Sequence, residues 1–379
     1  TKVVDDKFYF LGPAGGIRIP NFLMPPLMSN HGNYIVSMSK VCRWLAIQAE
    51  QLGVEIFPGM ACSELIYGNS NELKGVIAGE FGKNSSGEPG SMYEPGMEVL
   101  GKYIFIAEGV RGSLAKNIIS NYNLAKNSDF PKFGIGIKEV WEVESGKHNE
   151  GQVVHTMGWP LGNSTGGGSF LYHGSDNQVY VGFVVHLNYK NPHLFPYKEF
   201  QRFKHHPFIY DLLKGGKRIE YGARAISEGG VQSVPKLSFP GGVLIGCSAG
   251  FVNVPRIKGN HNAILSGIAA AEAANLALSN GRSSDSLEEY EKKIVNGYVF
   301  KDLNSVKNVK PLWSRLGLFL GIILGAIDMW CANIIGKNLF GTLKHKYPDH
   351  SSLDQASKAK IINYPKADGK ISFERLDSV

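Results

Sequence analysis

Two short glycine-bearing segments carry the residue types and spacing of a dinucleotide site. The first is Ala107-Glu108-Gly109-Val110-Arg111-Gly112-Ser113, where an apolar run ends in an acid and a glycine. A strand that ends this way and passes into a helix brings backbone close to a ligand without Cβ obstruction. Arg111 offers a guanidinium to a pyrophosphate. Taken alone, the segment reads as well as an ordinary strand-to-helix turn. The second is Gly246-Cys247-Ser248-Ala249-Gly250, with a loop to Gly259 and then an alanine-rich helix. Free amides at a helix N-terminus hold anionic or electron-rich groups. In flavoproteins such a helix end stabilises the charge of reduced flavin near its pyrimidine ring. Ala263, Gly267, Ala270 and Ala271 keep the helix slim. The order turn, loop, helix favours a flavin site over a packed core helix.

Other candidates are weaker. Gly229 and Gly230, in Ser227-Glu228-Gly229-Gly230, can present N–H and C=O to a flat ligand, but composition favours a hairpin turn. His31, His205, His206 and His261 lack metal-ligand spacing and read as structural or surface residues. Cys42, Cys62, Cys247 and Cys331 stand too far apart for a CxxC pair, a zinc site or a complete iron–sulfur ligand set. No nucleophile elbow or Walker loop is present. Gly12-Pro13-Ala14-Gly15-Gly16 is the nearest approach to GxGxxG. It is rejected because neither an apolar strand before it nor a periodic helix after it is expected.

The surrounding pattern predicts the elements that hold these segments. Residues 20–26 read as loop. Residues 37–53 read as an amphipathic helix, with Val41, Trp44, Leu45, Ala49 and Leu52 on one face and Gly53 as the stop. A strand is predicted at 54–57, a surface loop at 84–96, and a buried parallel strand at 103–107. Phe133, Ile135 and Ile137 alternate with small or polar residues, as do Val179, Val181, Phe183, Val185 and Leu187. Such alternation predicts half-exposed antiparallel strands. The α/β pattern returns with a strand at 242–246 and a helix at 262–278. The reading is therefore an α/β dinucleotide-binding domain interrupted by an antiparallel-sheet domain. Its parts are 1–130, 131–240 and 241–280, with a helical membrane-associated segment at 281–379.

Residues 313–340 form the most apolar stretch. An uncharged run ends at Asp328, which is short of the about 20 apolar residues of a spanning helix. Gly317, Gly321 and Gly325 repeat every four residues, while Leu316, Leu320, Ile323, Leu324 and Ile327 crowd another face. Such a helix can lay its glycines on the protein and its Leu/Ile face in lipid. A buried hairpin and a true span are the alternatives. Lys310, Arg315, Lys337, Lys344 and Lys346 flank it as candidate partners of lipid phosphates.

With 379 residues, 43% hydrophobic, the chain can bury a large core and is not disordered. The formal net charge of +7 suits an anionic membrane surface or an acidic protein partner. No nucleic-acid motif is visible, so nucleic acid is not expected as a partner. The chain opens on Thr1 with no signal or transit segment to read, and a fragment of a longer protein is the expectation.

Longer stretches make the chain resemble the electron transfer flavoprotein–ubiquinone oxidoreductase family. They are NHGNYIV at 30–36, FGIGIKEVW at 133–141, GGSFLYH at 167–173 and EFQRFKHHP at 199–207. GGKRIEYGARA at 215–225, GGVLIGCSAG at 241–250 and NVPRIKG at 253–259 complete the set. The likeness covers nearly the whole chain, weakens after about residue 280, and returns at 342–346 and 368–373. It implies a geranylgeranyl-reductase-like flavoprotein fold, with the family's N-terminal GxGxxG segment and C-terminal [4Fe-4S] region lying outside this chain. It also implies FAD held by Glu108, Gly109, Gly112, Gly246, Ser248, Gly250 and Gly259, and a ubiquinone carbonyl met by the backbone of Gly229 and Gly230. The implied partners are electron transfer flavoprotein, ubiquinone and a membrane surface touched from one side. The implied place is the matrix side of the mitochondrial inner membrane, or a bacterial inner membrane. Cys247 stands where related flavoproteins carry Asp, and no redox role is assigned to it. Rival readings are a geranylgeranyl-reductase-type enzyme and a non-catalytic membrane-bound paralogue.

Overall fold

The computed structural model describes residues 1–375, and the period-two apolar runs become its largest sheet. In chain order, β1 (Asp5–Leu11) and β2 (Gly16–Ile19) form a hairpin, followed by α1 (Met38–Gln51). Next come β3 (Cys62–Tyr67), β4 (Leu73–Ala78), β5 (Phe81–Lys83), β6 (Pro89–Glu94) and β7 (Met97–Leu100). β8 (Ile104–Ile106) leads into α2 (Ser113–Asn121). Then follow β9 (Phe133–Glu142), β10 (Gln152–Gly158), β11 (Gly167–His173), β12 (Gln178–His186), α3 (Pro196–Lys204), α4 (Pro207–Leu213) and β13 (Lys217–Ser227). β14 (Ser238–Phe239) and β15 (Gly242–Leu244) precede α5 (Asn260–Ser279), α6 (Glu288–Asn296), α7 (Tyr298–Asn304) and α8 (Val309–Ile334).

The large sheet runs β13-β9-β12-β11-β10-β1-β2. Its antiparallel core is the one the alternation predicts, but it begins at Asp5. β1 pairs in parallel with β10, so the sheet is mixed and the boundary at residue 130 does not separate it from the N-terminal part. Val179, Val181, Phe183 and Val185 are fully buried against Phe200, Phe203, Ile209 and Leu213 of α3 and α4. On the opposite face Gln178, Tyr180 and Val184 are half-buried and only Gly182 and His186 are buried, in keeping with the half-exposed expectation. Lys204 of α3 reaches Glu139 of β9 at 2.8 Å, and Trp141 donates to the same carboxylate at 2.8 Å. This buried pair fixes how α3 docks; removing one partner of such a pair costs about 3–5 kcal/mol.

A second body has the three-stranded sheet β14-β15-β8, with β15 parallel to β8. The run at 103–107 and the strand at 242–246 are thus neighbours, but only Ile106 of that run is buried and Phe105 is exposed, so the expectation of a strand enclosed on both faces does not hold. Ala269, Ala270, Ala273, Ala274 and Ala277 of α5 pack onto this sheet, joined by Leu287, Tyr290, Ile294, Val299 and Leu303. Those last residues lie on α6 and α7 and its lead-in, so 281–304 belongs to this core and not to a membrane segment. The far end returns to the other body, where Ile371 is buried and Phe373 packs beside it.

Four local expectations change. Residues 54–57 are not a strand among the described residues; Val54, Ile56 and Phe57 are exposed, with no neighbouring strand to satisfy the backbone. α1 forms, but none of its residues is buried. The loop at 84–96 contains most of the β5–β6 hairpin, turned at Gly87 with φ +85°. Gly12-Pro13-Ala14-Gly15-Gly16 does follow a strand, but it turns into β2 and not into a helix, so its rejection as a fingerprint rests on the second reason alone.

Candidate functional site

β8 ends at Ile106, and two residues on the Glu108 carboxylate accepts hydrogen bonds from the amides of Ala115 at 2.6 Å and Leu114 at 3.3 Å. It therefore caps α2, satisfying N–H groups that the first helical turn leaves unpaired. Gly112 allows this fold-back, because a Cβ there would lie 2.4 Å from Glu108 Cβ. Gly109 adopts φ +80° with open space where a side chain would stand. Arg111 is exposed, with its guanidinium 5.8 Å from the Phe133 ring centroid.

The second turn lies directly beside the first. Ser248 Oγ donates to the Gly109 carbonyl at 3.3 Å. Gly246 N donates to Ser266 Oγ on α5 at 2.9 Å, and a Cβ at Gly246 would meet Ala263 at 3.3 Å. Gly250, at φ +86°, faces Ser227, and Gly259 caps α5 against Val252. Two open, left-handed glycine turns and a helix N-terminus thus converge. The residues of this cradle fit the flavin end of FAD: backbone could approach closely, and the first amides of α5, with no side-chain cap, could meet an electron-rich ring. Glu108 contributes by shaping the turn, since its carboxylate is already engaged.

The loop between Phe251 and Gly259 is pinned from several sides. Asp302 accepts from Asn253 and Asn262 at 2.9 and 3.1 Å and pairs with Arg256 and His261. Lys258 Nζ donates to Asn30 Oδ1 at 2.6 Å, and the Asn30 backbone amide donates to Asp6 at 2.8 Å. His261 is therefore structural, as are His205 against Ser372 and His206 against Gly12.

This loop forms one wall of an apolar cavity of ≈ 290 Å³. Phe8, Met24 and Met28 close it from the N-terminal hairpin side, and His155, Ser169 and His186 from the sheet. Trp313, Ile322, Ala326 and Met329 of α8 supply the remaining wall. His155, Trp313 and Glu228 each line it and each keep one buried polar atom without a hydrogen-bond partner: Nδ1, Nε1 and Oε1. Burial holds the His155 imidazole down to about 3, so it is neutral.

Gly229 and Gly230 sit next to the cavity and not on its wall; the neighbouring Glu228 lines it. The Gly229 carbonyl accepts from His345 Nε2 at 2.8 Å. Gly230 has φ +65° and ψ −167°.

α8 is broken at Gly317, with φ +77°, where Asn163 accepts from the amides of Leu318 and Phe319 at 2.8 and 2.9 Å. The second half folds back on the first: a Cβ at Gly321 would lie 2.7 Å from Trp313 Cα, and one at Gly325 3.6 Å from Val309. The glycine stripe thus faces protein. Leu316, Leu320, Ile323 and Ile327 are exposed and Leu324 is half-buried, with Phe319, Ile334, Ile335, Phe22 and Leu23 adding exposed apolar surface. By length and composition the 298–334 run could cross a membrane. Asp328 argues against a straight span, for it is buried and ties Asn308, Asn338 and the Phe340 amide inward. Lys310 is a correction: it does not flank a lipid face but is buried, 2.5 Å from Glu228. Arg315, Lys337, Lys344 and Lys346 remain exposed.

The sequence reading missed His155, His186, Glu228 and Trp313. The available signal was the acid directly before the paired glycines; His186 lies in the 179–187 run that reads as plain strand, and the segment around His155 carries no reading of its own.

Residues 133–226 match the family model described as ETF-QO, ubiquinone-binding. An electron transfer flavoprotein-ubiquinone oxidoreductase of Pseudomonas aeruginosa is 46% identical, over 100% of this chain and 69% of its own length. The probable mitochondrial one of Schizosaccharomyces pombe is 47% identical over 100% of this chain and 60% of its own length. That of Rattus norvegicus is 45% identical over 100% and 62%. The chain thus spans 60–69% of these relatives. Among solved structures, a geranylgeranyl bacteriochlorophyll reductase-like protein from Thermoplasma acidophilum has a TM-score of 0.59 at 17% identity, covering 88% of this chain and 81% of its own. A flavoprotein/dehydrogenase from Cytophaga hutchinsonii has a TM-score of 0.54 at 15% identity, covering 92% and 73%. At such identities these two establish the fold alone.

Proposed function

The chain belongs to the electron transfer flavoprotein–ubiquinone oxidoreductase family, and from that premise we propose that it is the flavin- and quinone-holding body of a membrane-surface enzyme. The enzyme passes electrons from reduced electron transfer flavoprotein to ubiquinone. FAD, when bound, supplies the redox relay between electrons that arrive singly and a quinone that needs two. A [4Fe-4S] cluster belongs to the complete protein, outside this chain. The setting is the matrix side of a mitochondrial inner membrane or a bacterial inner membrane.

The observation that carries this reading is the double role of α8. One face exposes Leu320, Ile323 and Ile327, while Ile322, Ala326 and Met329 line the apolar cavity. A quinone tail is apolar, so its site must open toward lipid, and this helix joins the two. Gly259, the cap of α5 and part of the flavin cradle, also lines the cavity. The protein's task is placement: Gly109, Gly246, Ser248, Gly250 and Gly259 approach the flavin, with Gly112 letting Glu108 shape the turn and Arg111 at its edge. Gly229 and Gly230 hold the quinone head through backbone groups beside Glu228.

The test uses the complete protein, purified with its flavin and mixed with liposomes containing ubiquinone. Reduced electron transfer flavoprotein is expected to drive quinol formation. Prenyl double-bond saturation with no quinone reduction would assign it to the geranylgeranyl-reductase type instead. Native protein without flavin absorbance would leave a non-catalytic membrane-bound subunit.

A further inference from the structure

A second, polar cavity of ≈ 270 Å³ lies against the apolar one. Its walls include Asn163, Asn188, Lys190, Ser314 and Arg315. His186 and Trp313, stacked with ring centroids 5.1 Å apart, line both cavities. Two polar links cross this partition. His186 Nε2 lies 3.5 Å from Glu228 Oε1, and Lys310 Nζ lies 2.5 Å from Glu228 Oε2 and 3.4 Å from Asn188 Oδ1. Glu228, His186 and Lys310 are all buried. Neighbouring glycines leave room for them: a Cβ at Gly134 would lie 2.2 Å from Glu228 Oε1, and one at Gly166 would lie 2.2 Å from His186 Nδ1. Burying a carboxylate and an imidazole in this way is costly unless they act or are paired. Lys310 satisfies one Glu228 oxygen; the other has no hydrogen-bond partner and belongs to a residue of the quinone-sized cavity.

We infer that Glu228 gives protons to the reduced quinone and that His186 refills it from water in the polar cavity. This rests on the quinone-reducing function proposed above. Ubiquinone takes two electrons, supplied by reduced electron transfer flavoprotein, and two protons. As a C=O bond becomes a C–O single bond, the Glu228 O–H breaks and a new O–H forms on the quinone oxygen. The carboxylate left behind takes the Nε2 proton of the neutral His186 imidazole while Nδ1 takes one from water in the polar cavity, and the ring returns to its starting tautomer before the next passage. Two such passages yield one quinol and consume two protons from solvent. Lys310 positions the carboxylate and bridges to Asn188. Desolvation raises the Glu228 carboxyl above its ordinary range, against the opposing pull of Lys310, which suits a group that must be protonated before it donates.

The experiment follows ubiquinone-1 reduction by the complete, flavin-loaded protein with reduced electron transfer flavoprotein as donor. In His186→Ala, kcat is expected to fall on the order of 10²-fold with KM nearly unchanged. Added imidazole, which fits the vacated space, is expected to restore much of the loss. An unchanged kcat, or a loss that imidazole does not reverse, overturns the route. Glu228→Gln keeps the shape but cannot release a proton, and decides the matter should the alanine variant lose its flavin. Its kcat is expected to fall by a similar factor at full flavin content, and full turnover overturns the proposal. Wild-type protein that holds flavin yet reduces no quinone overturns the functional reading as well. Wild-type turnover with unaffected variants overturns the proton route alone.

Discussion

Ser248 Oγ donates a hydrogen bond to the carbonyl of Gly109 across 3.3 Å, joining two turns 139 residues apart in sequence. Beneath them β15 runs parallel to β8, and Ile245 N donates to the Ile106 carbonyl at 3.1 Å. The two turns therefore share one end of one sheet, the position at which open α/β sheets bind ligands. The electron-carrier reading required this: turns pointing to opposite sides of the molecule could not have formed one cradle.

Ser248→Ala removes that bond and leaves the backbone of both turns intact. We expect about 1 kcal/mol less stability and faster flavin loss on dilution. Chemical denaturation and absorbance of a gel-filtered complete protein measure the two. Wild-type flavin retention would count against the cradle.

Gly230→Val places a β-branched residue at φ +65°. Strain at such a position is of order 1–3 kcal/mol and distorts the turn beside Glu228. Quinone reduction is expected to fall more than flavin content. Equal losses would detach Gly229 and Gly230 from the quinone head.

Leu320 is 53% exposed on the outward apolar face of α8. Leu320→Glu is expected to leave the melting temperature nearly unchanged, as surface substitutions usually do. Co-sedimentation with anionic liposomes is expected to drop several-fold. Unaltered sedimentation would remove the membrane contact.

Burial depresses several imidazoles: His155 to about 3 and His173 to about 4, with His186 and His345 also lowered. Once unfolded, each takes up a proton below pH 6.5, while folded His155 and His173 stay neutral down to about pH 4. The unfolded state then binds more protons, so stability falls as pH drops from 6.5 toward 4. One such histidine contributes a loss of about 2 kcal/mol at pH 5. Thermal unfolding across that window should steepen accordingly. His173→Gln, which can still accept from the Asn149 amide, should flatten the slope. An identical pH slope in the variant would rule out His173 as a source.

The sequence alone determined the features that depend on a few consecutive residues. Glycine at 109, 246 and 250 announced turns where backbone can approach a ligand, and the structure gives all three a positive φ. The alternation in 179–187 and the alanine run in 262–278 announced a strand and a slim helix, because side-chain period follows from local backbone geometry. The glycine stripe of α8 was legible for the same reason. What the sequence left open were questions of distant partners. Val54, Ile56 and Phe57 read as strand, yet a strand exists only where a neighbour takes its hydrogen bonds. Apart from its hairpin partner β2, Asp5–Leu11 joined a sheet whose strands begin more than a hundred residues later. Lys310 read as a lipid-facing charge because its composition and position resemble Arg315, and only packing brought Glu228, 82 residues away, against it. His155 and His186 were invisible for that reason too. Burial and pairing of a charge are set by what folds around it, and no short window of sequence contains that information.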